Sequence, residues 1–230
     1  MLILAFDTSS KTAAVSVLRD QTVLYDTIIN KGLNHSEVLL PVMDEACRLL
    51  NVKIAEIDLF ACTLGPGSFT GLRIGISTLK GLMLATGKPA AGISSLSALA
   101  LNADQKGRII CSMMDAGRGQ VYLAYYQHDK NGFLSPLESA RAIDPHDIAD
   151  HLRDEVIYVG DGAIKYADII RSRTKHKHEI ASGAQQFICG SAVGKLAIEK
   201  FRRGDLLDAV TCAPIYLRSA DALAKKQTVC

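Results

Sequence analysis

Gly65-Pro66-Gly67-Ser68-Phe69-Thr70-Gly71-Leu72-Arg73 follows the apolar run Leu59 to Leu64 and leads into a long apolar stretch that ends near Ala85. A short apolar run, a Gly-Pro-Gly turn and then a stretch too long for a strand read as strand, turn and helix over Ser68 to Ala85. Pro89 to Ile93 then returns as a strand. Alternation of strand and helix makes this part of the sheet parallel and the fold class α/β. The turn itself admits two readings: a tight strand-to-helix corner with close packing, or backbone N–H groups offered to a phosphate at a helix N-terminus. It is not a Walker A sequence, because Leu72-Arg73 stands where Lys-Ser or Lys-Thr is required, and it is not GxGxxG.

The helix after this turn carries Gly71, Gly75 and Gly81, each costing about 1 kcal/mol relative to Ala in a helix interior. Gly71, Gly75, Thr78, Gly81 and Ala85 lie on one flank at helical spacing, so another backbone is expected to approach there. Arg73 and Lys80 are its only charges. The preceding helix, Asn34 to about Asn51, opens with Asn34 and Glu37 at capping-box spacing. Pro41 is expected to kink it or to mark its true first turns. Leu39, Val42, Met43, Ala46, Leu49 and Leu50 form an apolar face that Leu40 and Cys47 widen, leaving Glu37, Asp44, Glu45 and Arg48 for water. Two neighbouring helices with this surplus suggest either a patch covered by a partner chain or cover supplied by the chain's own second half.

Outward from this centre, Leu2 to Phe6, Ala14 to Leu18 and Thr22 to Ile28 read as a three-strand meander. The second half repeats the order: strands Ile109 to Met114, Val121 to Tyr126 and a further one near Leu134 to Ala142, then a helix from Pro145 to about Arg153 started by Asp144. Strand Val156 to Val159, the turn Gly160-Asp161-Gly162, a helical segment Ile164 to Ile170 and a helix Ala184 to Phe201 complete it. Asp7 and Val15 are matched by Asp115 and Val121 at offsets of 108 and 106, so the chain reads as an internal duplication. The expected lobes are residues 1–105 and 106–230, with the last segment, about 213–230, packing back on the first lobe.

With 230 residues, 48% hydrophobic and 22% charged, the chain can fill a sizeable core, which excludes disorder, collagen and coiled coil. Lys plus Arg number 26 against 24 Asp plus Glu, a net +2, far from the basic field of a dedicated nucleic-acid binder. Six scattered cysteines without a CxxC pair read as reduced, mostly buried thiols. The opening Met1 to Phe6 run lacks a basic flank and is cut by Asp7, too short for a signal peptide or a span, so a cytoplasmic address without membrane contact is expected.

Asp7 and Asp115, each at a strand end before a turn, are placed to hold a magnesium–phosphate group between lobes, or simply to stabilise their turns. His35 has no second histidine at helical spacing, and His146 and His151 are five apart, so no metal site is expected. Residues 171–178, with His176 and His178, read as a charged solvated loop and the best local candidate for touching RNA. No GxSxG occurs.

Asp7-Thr8-Ser9, His35-Ser36-Glu37 with Leu39-Leu40-Pro41, Gly65 to Gly75, Gly92 to Leu96, Asp115-Ala116 with Val121-Tyr122, and Pro214 to Arg218 together resemble the TsaB (YeaZ) family over nearly the whole chain. The resemblance implies a duplicated two-lobe actin-like/Hsp70-like (ASKHA) ATPase-type fold with mixed sheets flanked by helices. It also implies a non-catalytic subunit of the bacterial machinery that installs N6-threonylcarbamoyl on adenosine 37 of tRNA, docking the transferase TsaD and helping recruit the ATPase TsaE. TsaD carries metal-binding histidines where this chain shows one histidine, His35. Carry-over puts homodimer or TsaD contacts at His35, Ser36, Leu39, Leu40, Met43, Gly71, Leu72, Gly75 and Leu79. Arg73, Lys80 and Arg118 are second-line polar contacts. Nucleotide or phosphate contacts fall to Asp7, Thr8, Asp115 and Arg118, with no intrinsic cofactor, and ATP or ADP with magnesium only in the assembled complex. tRNA is expected to be met through the complex. Gly117 and Gln120 depart from the family's usual Arg and Glu. The alternative is an actin-like magnesium-dependent phosphotransferase or nucleotide hydrolase using Asp7 and Asp115; a metallopeptidase lacks ligands.

Overall fold

The structure is a computed structural model that describes residues 1–32, 34–103, 107–148, 155–175 and 177–217. The first sheet is built from β1 (Leu2–Asp7), β2 (Ala13–Arg19), β3 (Thr22–Ile29), β4 (Leu59–Gly65) and β5 (Ala90–Ser94), in the order β3-β2-β1-β4-β5. β1, β2 and β3 form the antiparallel meander, whereas β4 lies parallel to β1 and β5 parallel to β4. The two parallel joints follow from the crossovers: α1 (His35–Leu49) links β3 to β4, and α2 (Phe69–Thr86) links β4 to β5. β1 and β4 are buried along their whole length, which is why both read as unbroken apolar runs.

α3 (Ser95–Ala103) leads to the second sheet, made of β6 (Ile109–Gly117), β7 (Gln120–His128), β8 (Leu134–Pro136), β9 (Arg141–Ile143), β10 (Val156–Val159) and β11 (His178–Ile180). Its order β11-β10-β6-β7-β8, with β9 also on β7, repeats the first sheet with β6 in the place of β1 and β10 in that of β4. α4 (Asp161–Lys165) and α5 (Ala167–Arg173) follow β10, and α6 (Gly190–Arg202) follows β11.

Several expectations are corrected. The strand near 134–142 is two short strands, and the helix placed at 184–201 begins only at Gly190, after a single 3-10 turn at Gly183–Gln186. α3 and β11 escaped the sequence reading. Residues 171–178 are not a plain loop: Arg171 to Arg173 end α5, Thr174 is buried, and His178 opens β11, while His176 lies outside the described residues. Of the helix expected at 145–153, Pro145–Asp147 form a 3-10 turn and 149–154, with His151, lie outside the described residues. Asn34 precedes α1 without a side-chain cap, its Nδ2 donating instead to Glu37 Oε1 at 2.9 Å, and Pro41 sits inside an unbroken helix.

Three apolar clusters hold the layers. One lies between β1, β4 and the helices α1 and α2; a second lies under α4 and α5. The third runs between the sheets, joining Ile3, Leu18 and Ala61 to Ile110, Met114 and Ile157 through α3 and α6. The cut at 105/106 therefore does not follow the packing, because α6, from the second half, lies on the first sheet. Side chains at Gly190 or Gly194 would collide with Ser16 or Leu18, and the Asp26 carboxylate on β3 accepts from Ser191 Oγ at 2.5 Å. α3, from the first half, is tied to β6 by Ser112 Oγ, which donates to the Leu96 carbonyl at 2.9 Å. After α6 the chain returns across the first sheet, with Leu207 N donating to the Ala90 carbonyl and Ile215 N to that of Leu64.

Candidate functional site

α1, α2 and the turn after β1 meet at one end of the first sheet. Ser68 caps α2 by accepting from Gly71 N at 3.2 Å. Thr8 Oγ1 donates to the Gly71 carbonyl at 2.8 Å, and Ser68 N to the Ser9 carbonyl at 2.7 Å. A Cβ at Gly71 would overlap the Thr8 carbonyl oxygen, and one at Gly75 would stand 2.5 Å from Thr8 Oγ1. A backbone does approach the glycine flank as expected, and it is the chain's own β1 turn, where the resemblance had implied partner contacts at Gly71 and Gly75. Gly81 differs, with nothing near its missing side chain. His35, at the first turn of α1, lies over Gly71 and places Nε2 2.9 Å from the Ser10 carbonyl.

This packing sorts the nine residues named for a docking face. Met43, Gly71, Leu72, Gly75 and Leu79 are buried against the first sheet, and Leu39, also buried, reaches that face only as the floor of a groove. Leu40, 55% exposed, and Ser36 are on the outside, with His35 half-buried. A groove of about 390 Å³ between the helices is floored by Leu39 and walled by Ser36, Leu40, Arg73, Ile74, Ser77 and Thr78. Ile74 and Ser77 were missed and Thr78 was read only as part of the glycine flank, although the periodicity that buries Leu72 and Leu79 turns 74 and 78 toward α1. Arg73 on this wall is held in place: its guanidinium lies 3.8 Å from the Phe69 ring centre, and its Nε donates to Tyr216 Oη at 3.4 Å.

Between the lobes is a wider cleft of about 900 Å³, lined from the first lobe by Ser9, Lys11 and Ser68 and from the second by Asp115, Tyr122 and Asp161. Asp7 is not on its wall. Its carboxylate is fully buried, Oδ1 accepting from Ser9 N at 3.0 Å and from Ser9 Oγ and Thr63 Oγ1 at 2.5 Å each, and burial pushes its pKa up. Thr8 is also buried. Asp115 faces the cleft, paired with Lys165 Nζ at 2.8 Å; burial pushes its carboxyl up, but Lys165 and the Gly117 N–H outweigh that and hold it below the ordinary value. Burial and the neighbouring Asp115 push Asp161 up. Arg118 is exposed at a tight turn with φ of 54°. With Asp7 turned into the core and Asp115 committed to Lys165, these residues do not fit a magnesium–nucleotide held by this chain alone.

Over residues 30–197 the chain matches the family model for TsaD, tRNA N6-adenosine threonylcarbamoyltransferase. It is 31% identical to the tRNA threonylcarbamoyladenosine biosynthesis protein TsaB of Bacillus subtilis, covering 98% of this chain and 97% of that protein. The chain belongs to the TsaB family. The Escherichia coli TsaB is 29% identical, over 98% of each chain. The solved YeaZ of Pseudomonas aeruginosa superposes with a TM-score of 0.82 at 25% identity, covering 94% of this chain and 99% of that one. The two-lobe ASKHA-type architecture expected from the resemblance is therefore the fold of this TsaB-family chain. No described helix is long and apolar enough to cross a membrane.

Proposed function

We propose that this chain is a non-catalytic subunit in the biosynthesis of tRNA N6-threonylcarbamoyladenosine, docking and stabilising the transferase TsaD through the α1–α2 face and helping to recruit the ATPase TsaE. The observation that carries this reading is the groove between α1 and α2. Leu40 is 55% exposed, and with Leu39 and Ile74 it gives the groove an apolar floor and wall on which Arg73 is the one charged side chain. A groove with an apolar floor and a polar rim on a chain of this size supports a protein contact. The same face supports a homodimer when TsaD is absent, the two states competing for one surface.

The non-catalytic reading is supported by the engagement of Asp7 Oδ1 within its turn and of Asp115 with Lys165. We assign no intrinsic cofactor; ATP or ADP with magnesium belongs to the assembled complex, and tRNA is met through that complex rather than by this chain. A cytoplasmic location follows from that role.

The test is copurification with TsaD on size-exclusion chromatography, together with threonylcarbamoyladenosine formation by the reconstituted proteins. Leu40→Asp places a charge on the exposed face without touching the core, unlike a charge at Leu39 or Gly75, which would disturb folding. The expected result is loss of the complex and of modification with an unchanged melting temperature. An intact complex would remove the α1–α2 face from the reading.

A further inference from the structure

The groove between α1 and α2 is set by how the two helices stand against each other, and three successive residues of the turn after β1 bond to one or the other. Thr8 Oγ1 donates to the Gly71 carbonyl of α2 at 2.8 Å, and the Ser9 carbonyl accepts at 2.7 Å from N of Ser68, the cap of α2. The Ser10 carbonyl lies 2.9 Å from Nε2 of His35, the first residue of α1. A carbonyl oxygen can only accept, so Nε2 carries the hydrogen of that imidazole. The turn is itself braced: the buried Asp7 accepts from Ser9 N and Oγ through Oδ1, and Ser10 Oγ accepts from Thr12 N at 3.2 Å.

The two helices are not held equally. α2 has two bonds to the turn, a side-chain cap from Ser68, and Gly71 and Gly75 packed closely on Thr8. α1 starts without a side-chain cap, because Asn34 turns its amide to Glu37 instead. Among the described residues, His35 Nε2 makes the side-chain hydrogen bond that ties the first turn of α1 to the rest of the fold. Its ring also lies against α2, with Cδ2 3.3 Å from where a Cβ at Gly71 would stand. The first two turns of α1 carry Ser36, Leu39 and Leu40, its share of the groove.

We propose that His35 is a positioning residue of the groove: its Nε2–H bond to the Ser10 carbonyl fixes the start of α1 against α2, and with it the placing of Ser36 and Leu40 that TsaD meets. This rests on the function proposed above, and it gives His35 a role other than the direct partner contact that the resemblance implies. The side chain suits that role, being half-buried and spent on the chain's own backbone. Reach makes the bond testable, since a glutamine amide nitrogen stands about where Nε2 does, whereas an asparagine amide is one methylene shorter and falls short.

Calorimetry of the full-length chain with TsaD, for the parent, His35→Asn, His35→Gln and Leu40→Asp, tests this together with hydrogen–deuterium exchange of each chain alone, all well below the melting temperatures. His35→Asn is expected to weaken binding about tenfold, the scale of one lost hydrogen bond, and to speed exchange in the first turns of α1 while α2 exchanges as in the parent. His35→Gln, which restores the donor, is expected to return both to within about twofold of the parent. Loss of binding in His35→Gln as in His35→Asn would mark the imidazole itself as the contact and overturn the positioning role, as would parent-like exchange of α1 in His35→Asn. Parent-like binding by His35→Asn alongside loss in Leu40→Asp would overturn it too and leave the docking face standing. Parent-like binding by Leu40→Asp would overturn the docking reading itself.

Discussion

The two lobes repeat one strand order, yet their outer layers differ. On the first sheet the crossover from β4 to β5 is the single 18-residue helix α2; at the equivalent place on the second, between β10 and β11, it is split into α4 and α5 of 5 and 7 residues. α4 and α5 bury Ala163 and Ile170 over the Tyr125 and Tyr158 layer and leave Ile164 54% exposed. α1, α2 and the segment after α6 bury their own cluster and still present Leu40, Leu84 and Val210 to solvent. On the first lobe the exposed apolar side chains Leu40 and Leu84 sit on the crossover helices with Val210 beside them, whereas on the second α4 exposes Ile164.

The contrast can be broken most severely inside α2. Gly71→Val would drive a branched side chain into the Thr8 carbonyl and should cost about 3 kcal/mol or more, read as a drop in urea midpoint. Next in size is the exchange of a charge for an exposed apolar residue in each lobe. Leu40→Asp should weaken TsaD binding about a hundredfold, since an interface would have to bury an unpaired carboxylate. Ile164→Asp, on α4 and 54% exposed, should change binding by less than about twofold. Equal effects would erase the distinction between the lobes. Gly81→Ala should stabilise the isolated chain by up to about 1 kcal/mol, because nothing in the fold occupies that space.

The smallest effect concerns the paired strand-end aspartates, which the duplication has taken in opposite directions. Asp7 has its pKa above the ordinary 3.8, so its contribution to stability is present in acid and is lost as pH rises through the folded value. Asp115 lies below 3.8, so its contribution is present above that value and is lost as pH falls. Melting curves from pH 3 to 7 should therefore show Asp7→Asn gaining on the parent as pH rises. Asp115→Asn should lose ground over the same range.

Much of this fold was readable from pattern. β10 falls on Val156–Val159 and α2 within a residue of each expected end, because Gly-Pro-Gly, Ser68 and Gly87 punctuate them. α3 was not readable: Leu96, Ala98, Leu99 and Ala100 are all buried between two sheets, so no polar face sets a period. β11 is three residues with a polar middle. The site was legible by half. Periodicity identified the apolar stripes of α1 and α2, but a stripe facing the chain's own sheet and one facing a partner look alike in sequence. Periodicity set Leu40 apart from the Leu39 stripe, and packing shows that Leu39 is buried and Leu40 exposed. Nor does any local pattern carry Tyr216 to Phe69, 147 positions away in the chain.

Hydrogen–deuterium exchange of the chain alone and with TsaD tests the central claim most directly. Slower exchange on binding is predicted across His35–Leu49 and Phe69–Thr86, with Asp161–Arg173 unaffected. Protection confined to the second lobe, or spread evenly over both, would contradict it.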